Sequence, residues 1–119
     1  MKLTSVMIGS ADSSKLVDYY MKVFGSPVME EEGPWAGWQL GDGWIVVGPH
    51  DGVKGANTEP GRVMFNLESA DVNADFTKLR DAGAIVVKEP YAPEGAPDGG
   101  LIATLSDPDG NYFQLMSPM

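Results

Sequence analysis

One histidine, three tryptophans, seven methionines and no cysteine bound the chemistry open to this chain of 119 residues. Without cysteine there is no disulfide, no thiolate zinc centre and no thiol nucleophile. A serine triad needs a histidine against a serine on a strained turn, and no such serine motif accompanies the lone His50. His50, Glu68 and Tyr112 remain as acid or base candidates, and their spacing does not bring two of them to one substrate atom. One imidazole without partners is no ligand set for a metal; following Gly48-Pro49, it reads as a loop histidine. The richer signal is apolar. Trp35, Trp38 and Trp44 crowd around a glycine-rich turn, with methionines spread through the chain. Flat rings pack well on indoles and methionine adapts to irregular shapes, so these residues suit small-molecule binding.

Charge narrows the partners. Seventeen acidic and eight basic residues leave a net charge of −9, which repels phosphate backbones and anionic lipid. Neither nucleic acid nor a membrane is expected as a partner. A cationic ligand is mildly favoured, and solubility is the commoner use of the same charge. The run Glu30-Glu31-Glu32 either assists such a ligand or is a solvated turn. No apolar stretch approaches the ~18 residues of a membrane span. The opening residues 1–8 lack a charged lead and long apolar run, so no signal peptide is expected, and cytoplasmic residence is the expectation.

The elements that must hold the candidate residues follow from local patterns. Residues 3–9 are a β-rich run, and Asp12-Ser13-Ser14 offers a side-chain oxygen to unpaired first-turn amides. Leu16, Tyr19, Tyr20, Val23 and Phe24 follow at helical spacing until Gly25 ends the helix. Strands are expected over 27–32, 37–40 and 44–47, the last two joined by Gly41-Asp42-Gly43. A polar connector covers 49–61, and then the order starts again. A strand at 62–67 leads to the cap Asp71, the stripe Val72, Phe76, Leu79 and Ala82, the stop Gly83, and strands at 84–88, 101–106 and 111–116. Recurrence of cap, stripe and stop half a chain later is an internal repeat. The fold class is therefore α+β: two βαβββ modules, about 1–56 and about 61–119, in one domain of 1–119. A chain of this length buries about two-thirds of its unfolded surface. The segment 90–100, with Pro90, Pro93 and Pro97, is long for a connection here and is either a partial cover over a cavity or a plain surface loop.

Three stretches carry a resemblance. They are Ser10-Ala11-Asp12 through Tyr19-Tyr20 to Val23-Phe24-Gly25, Glu68-Ser69-Ala70-Asp71-Val72 through Leu79 to Ala82-Gly83-Ala84, and Leu105-Ser106-Asp107-Pro108-Asp109-Gly110-Asn111. The last has a physical basis, since aspartate and proline open a tight turn and glycine supplies positive φ. In this order, across essentially the whole chain, they resemble the vicinal oxygen chelate superfamily. That group contains glyoxalase, the bleomycin-resistance proteins, the extradiol dioxygenases and the fosfomycin-resistance enzymes. The resemblance implies a curved mixed sheet of four strands per module, a cup open on one side, and a homodimer. It also implies four cup positions that hold histidine, glutamate or glutamine in the metal enzymes. Counted from the matched motifs, these fall on Ser5, Val46 (Val47 with a slip of one), Met64 and Gln114. A hydroxyl, an isopropyl, a thioether and one neutral amide are a poor set for Mg²⁺, Fe²⁺ or Zn²⁺. No metal and no other cofactor is expected.

Strand alternation then assigns a lining to that cup. With Gln114 pointing in, Tyr112 and Met116 share its face, while Phe113 and Leu115 meet the helix. Met64 and Asn66 point in, with Val63, Phe65 and Leu67 under the helix; Ser5 and Met7 line the first strand, Trp44 and Val46 the fourth, and Trp38 lies across the hairpin. The expected site is Ser5, Met7, Trp38, Trp44, Val46, Met64, Asn66, Tyr112, Gln114 and Met116, with polar handles at Ser5, Asn66 and Gln114. Other uses stay open: Trp38 and Trp44 as a cross-strand pair, Trp35 at a dimer interface, Met7 and Met64 as core. The expected function is metal-free binding of a small hydrophobic or planar drug or metabolite, as in the bleomycin-resistance branch. The alternative is a diverged glyoxalase-like lyase or isomerase, or a dioxygenase-type enzyme, using Glu68, Tyr112 or His50.

Overall fold

Two aspartates start the two helices. Asp12 precedes α1 (Ser13–Phe24), and its carboxylate accepts from the Ser14 hydroxyl at 2.7 Å and the Lys15 amide at 3.5 Å. The Ser14 bond, helped by the Lys15 amide, holds that carboxyl below its ordinary pKa. Asp71 precedes α2 (Val72–Asp81) and accepts from the Ala74 amide at 3.0 Å. Each cap satisfies an amide that has no partner within the helix. At the other end of α1, Gly25 takes a φ of 88°, which a β-carbon would oppose. The structure is a computed structural model and describes residues 1–118. No helix among the described residues is long and apolar enough to cross a membrane.

Contacts divide the chain into two units, Met1–Ala56 and Asn57–Met119. The first holds β1 (Ser5–Ser10), α1, β2 (Met29–Glu31), β3 (Trp35–Leu40) and β4 (Gly43–Pro49). Its sheet has the order β1-β4-β3-β2, with β1 parallel to β4 and the other pairs antiparallel. Leu16 and Tyr20 of α1 are fully buried, as are Ala36 and Val47 of the sheet, with Ile8, Trp38 and Ile45 almost so. The Tyr20 ring stacks on Phe24 at 5.4 Å and lies 6.0 Å from Trp38. This aromatic cluster fills the space between helix and sheet, where each large ring removes much apolar area from water.

The second unit repeats the plan. It holds β5 (Phe65–Glu68), α2, β6 (Ile85–Tyr91), a 3₁₀ turn at Pro97–Gly99, β7 (Ile102–Ser106) and β8 (Tyr112–Met116). The order β5-β8-β7-β6, with β5 parallel to β8, matches that of the first sheet strand for strand. Val72, Phe76 and Leu79 bury the helix stripe, and Ala103, Leu105, Phe113 and Leu115 bury the facing strands. Phe65 and Phe113, neighbours on parallel strands, stack 5.2 Å apart and 3° from coplanar. The chain is thus α+β, two βαβββ modules each with a mixed four-stranded sheet.

Three boundaries depart from expectation for local reasons. Glu59 holds Arg62 by a backbone bond and an ion pair of 2.9 Å, so the connector keeps turning and the β5 ladder begins only at Phe65. Val63 is consequently 77% exposed and does not lie under the helix. β6 runs on to Tyr91 through two irregularities, taking Pro90 and Tyr91 out of the long connection. A proline there costs little, because β6 is an edge strand. The β3–β4 turn has two residues between paired strands, since Leu40 faces Gly43 directly. That one-residue difference moves every later pairing.

Candidate functional site

The register of the β3–β4 hairpin decides which tryptophans are available. Trp44 faces Gln39, and Trp38 faces Ile45. Residues paired across a ladder share a face, so Trp38 points to the helix and Trp44 away from it. Trp38 is 2% exposed, and its indole Nε1 donates to the Gly25 carbonyl at 2.9 Å. It is a core residue that ties the end of α1 to the sheet. Its expected place in the ligand lining is corrected, and with it the cross-strand pair with Trp44. A three-residue turn puts Trp38 across from Val46; the two-residue turn flips it to the opposite face.

Trp35 takes the open place. It stands two residues from Gly37 on β3, and a β-carbon on Gly48 of β4 would run into its six-membered ring. Gly37 is used similarly: a β-carbon there would lie 3.5 Å from the Trp44 ring and 3.4 Å from the Met29 methyl. Glycine inside a strand marks close approach of another group, and here the groups are two indoles. Both are half-exposed. Pairings extend this face to Met7 and Val46 in one row and to Ser5, Trp44 and Gln39 in the next, with Glu31 opposite Trp35. Four expected residues, Ser5, Met7, Trp44 and Val46, therefore share one face, which carries the two indoles and the polar side chains of Ser5, Gln39 and Glu31. Val47 is fully buried on the helix side, so Val46 and not Val47 lies on this face.

A substitution checks the seating of Trp35. Gly48→Val is expected to displace the indole and to cost about 1–3 kcal/mol through overpacking. Thermal unfolding reads the cost and near-UV circular dichroism the ring. A variant as stable as the parent, with an unchanged tryptophan spectrum, contradicts the contact.

On the second sheet, Asn66, Gln114, Thr104 and Lys88 succeed one another across four strands. The Gln114 Nε2 donates to the Thr104 hydroxyl at 3.1 Å. Met116 and Tyr112 share this face by alternation along β8, with Phe113 and Leu115 buried behind. Asn66, Tyr112, Gln114 and Met116 are thus brought together as expected. Met64 lies one residue ahead of β5, outside the ladder and 37% exposed. Lys88 and Thr104, absent from the expected site, extend the row.

Two acid–base candidates, Glu68 and Tyr112, share the second unit, and His50 belongs to the first. Glu68 faces Met116, which lies four residues along β8 from Tyr112, a separation of about 13 Å. Neither reaches the other's proton. His50 is exposed beyond β4 and its Nδ1 accepts from the Gly52 amide at 3.0 Å, a turn bond that occupies one ring nitrogen.

Nor do the donors fit a metal. Among the described residues no three histidine, aspartate or glutamate side chains gather closely enough to hold an ion. The four positions implied by the resemblance carry a hydroxyl, an isopropyl, a thioether and a neutral amide. None offers the charge or basicity a divalent cation needs.

Known proteins share this fold. A family model described as a glyoxalase-like domain matches residues 5–116. A member of the glyoxalase/bleomycin resistance protein/dioxygenase superfamily from Sphaerobacter thermophilus superposes with a TM-score of 0.72 at 22% identity, over 99% of this chain and 98% of its own. A family enzyme of the same description from Burkholderia phytofirmans gives 0.74 at 20% identity, over the whole of both chains. A lactoylglutathione lyase from Agrobacterium tumefaciens gives 0.72 at 16% identity, over 98% of this chain and 92% of that one. No curated protein sequence matches the chain significantly. At these identities the neighbours speak for the fold alone, while the family match covers nearly every residue. The repeated βαβββ plan and that match agree: the chain belongs to the glyoxalase-like domain family of the vicinal oxygen chelate superfamily.

Proposed function

We propose that this protein binds a small planar ligand without a metal, on the face of the first sheet that carries Trp35 and Trp44. The observation that supports this most is the seating of two half-exposed indoles over glycine backbone, which leaves flat rings presented for stacking. Met7, Met29 and Val46 complete an adaptable apolar floor, and Ser5 and Gln39 offer hydrogen bonds at its edge. Glu31 beside Trp35 and the net charge of −9 favour a ligand with a positive group. Within the second unit Glu68 and Tyr112 stand too far apart to share a proton, which favours this reading over an enzyme of the lyase or isomerase type. The proposed working form is a homodimer, for which light scattering should return twice the chain mass.

The test is a titration with planar heteroaromatic antibiotics, cationic and neutral, followed by tryptophan fluorescence and by calorimetry. Saturable quenching is expected, stronger for the cations and weakened by salt. Trp35→Ala and Trp44→Ala should each weaken binding about tenfold by calorimetry, the loss of one stacked ring with its buried area. Absence of binding across a broad panel, or binding untouched by both variants, would defeat the proposal.

A further inference from the structure

We infer that the second unit carries a subsite of its own for a small apolar carboxylic acid: Lys88 takes the carboxylate and a groove beneath the segment 93–101 takes the apolar end. This goes beyond the ligand reading above and does not rest on it, since it uses no residue of the first unit.

The groove has a volume of about 140 Å³ and lies between that segment and the ends of β7 and β8. Pro93, Ala96, Leu101, Ile102, Met116 and Pro118 line it, and almost none of the lining is polar. An apolar cavity of about this size takes one benzene ring. The connection before β7 therefore lies against a hollow.

Lys88 is the only basic residue in any of the eight strands. Its ammonium lies 4.6 Å from the centre of the Tyr91 ring, which steadies it without neutralising it. The ion pairs of the described residues, Arg62 with Glu59 and Arg80 with Asp81, do not involve it. Across the ladder stands Thr104, 8% exposed. Its oxygen accepts from Gln114, so the O–H is left to donate. An ammonium and a hydroxyl on adjacent strands are the two donors a carboxylate needs. Ile102 stands two residues before Thr104, and Met116 two after Gln114, so the groove opens about 7 Å from Thr104 on the same face. A ring in the groove with a two-carbon tether brings its carboxylate to the row that holds Thr104 and Lys88. Glu68, beside Met116, and Glu89, next to Lys88, oppose an anion and make charge the decisive variable.

The experiment is a two-dimensional ¹H–¹⁵N NMR titration of the full chain with 3-phenylpropanoate, its neutral amide, and 3-phenylpropylamine. The acid should give saturable shifts at Lys88, Thr104, Ile102, Gln114 and Met116, with the amide about tenfold weaker. Lys88→Met should lose about the same factor, while Lys88→Arg should stay within about threefold of the parent. Ala96→Phe, which fills the groove, should abolish binding of the acid with the spectrum otherwise folded. The inference is overturned by an acid that gives no saturable shift, by an amide or amine that binds as well, or by Lys88→Met binding like the parent. Planar ligands that report on Trp35 and Trp44 can succeed or fail independently of any of these results.

Discussion

Trp38→Ala is expected to lower the unfolding free energy by about 3–5 kcal/mol, while Trp44→Ala lowers it by only about 1 kcal/mol. The two residues have the same chemistry and lie six positions apart, so the contrast isolates the face each occupies. Trp38 packs against Tyr20 and Phe24 at ring distances of 6.0 and 6.5 Å and donates to the Gly25 carbonyl. Removing it opens a cavity under α1 and strips the helix end of its tie to the sheet. Native domains hold about 5–15 kcal/mol in total, so the loss is a large share and should lower the melting temperature by about 10–20 °C. Trp38→Phe keeps most of the ring and forfeits the hydrogen bond, for a smaller cost. Circular dichroism during heating measures all three. Equal costs for the alanine variants at 38 and 44 would mean that the hairpin register described here is wrong.

Asp107→Ala should cost about 2–4 kcal/mol, the second largest effect expected. Asp107 is 1% exposed and sits at the head of the β7–β8 turn. Its Oδ1 accepts from the amides of Asp109 at 2.9 Å and Asn111 at 3.0 Å, and its Oδ2 accepts from the Asn111 side chain at 3.0 Å. Bonds to a carboxylate are stronger than neutral ones, and truncation leaves two turn amides without an acceptor. The turn also anchors the start of this unit, because the Asn57 amide donates to the Asp109 carbonyl at 2.8 Å. Asp107→Asn retains one acceptor oxygen and should cost about half as much. Urea unfolding of the three proteins is the check. An alanine variant within about 0.5 kcal/mol of the parent would show that water replaces the carboxylate freely.

Much of the fold was legible because its signals are local. Asp12, Asp71 and Gly25 act within one helical turn, the apolar stripes within three, and the Asp107–Asn111 turn within five residues. Repetition of these signals half a chain apart exposed the two modules, and the Asn66, Tyr112, Gln114 and Met116 face followed from alternation along an uninterrupted strand. The absence of thiol chemistry was equally plain, since a missing cysteine needs no coordinates. The open tryptophan was not legible. Gly41-Asp42-Gly43 allows a turn of two residues or three, and each choice satisfies the local preferences of glycine and aspartate.

Composition and spacing were thus enough to set the architecture, and the resemblance they carry supplied the four cup positions. Tertiary structure alone chose Trp35 over Trp38, seated it on Gly48, and put Lys88 opposite Thr104. The reason is the two-residue period of a strand: one step of register exchanges its faces, and that step is decided by what packs against α1. Tyr20 and Phe24 accept the indole of Trp38, and with that face filled Trp35 and Trp44 are left to the outside.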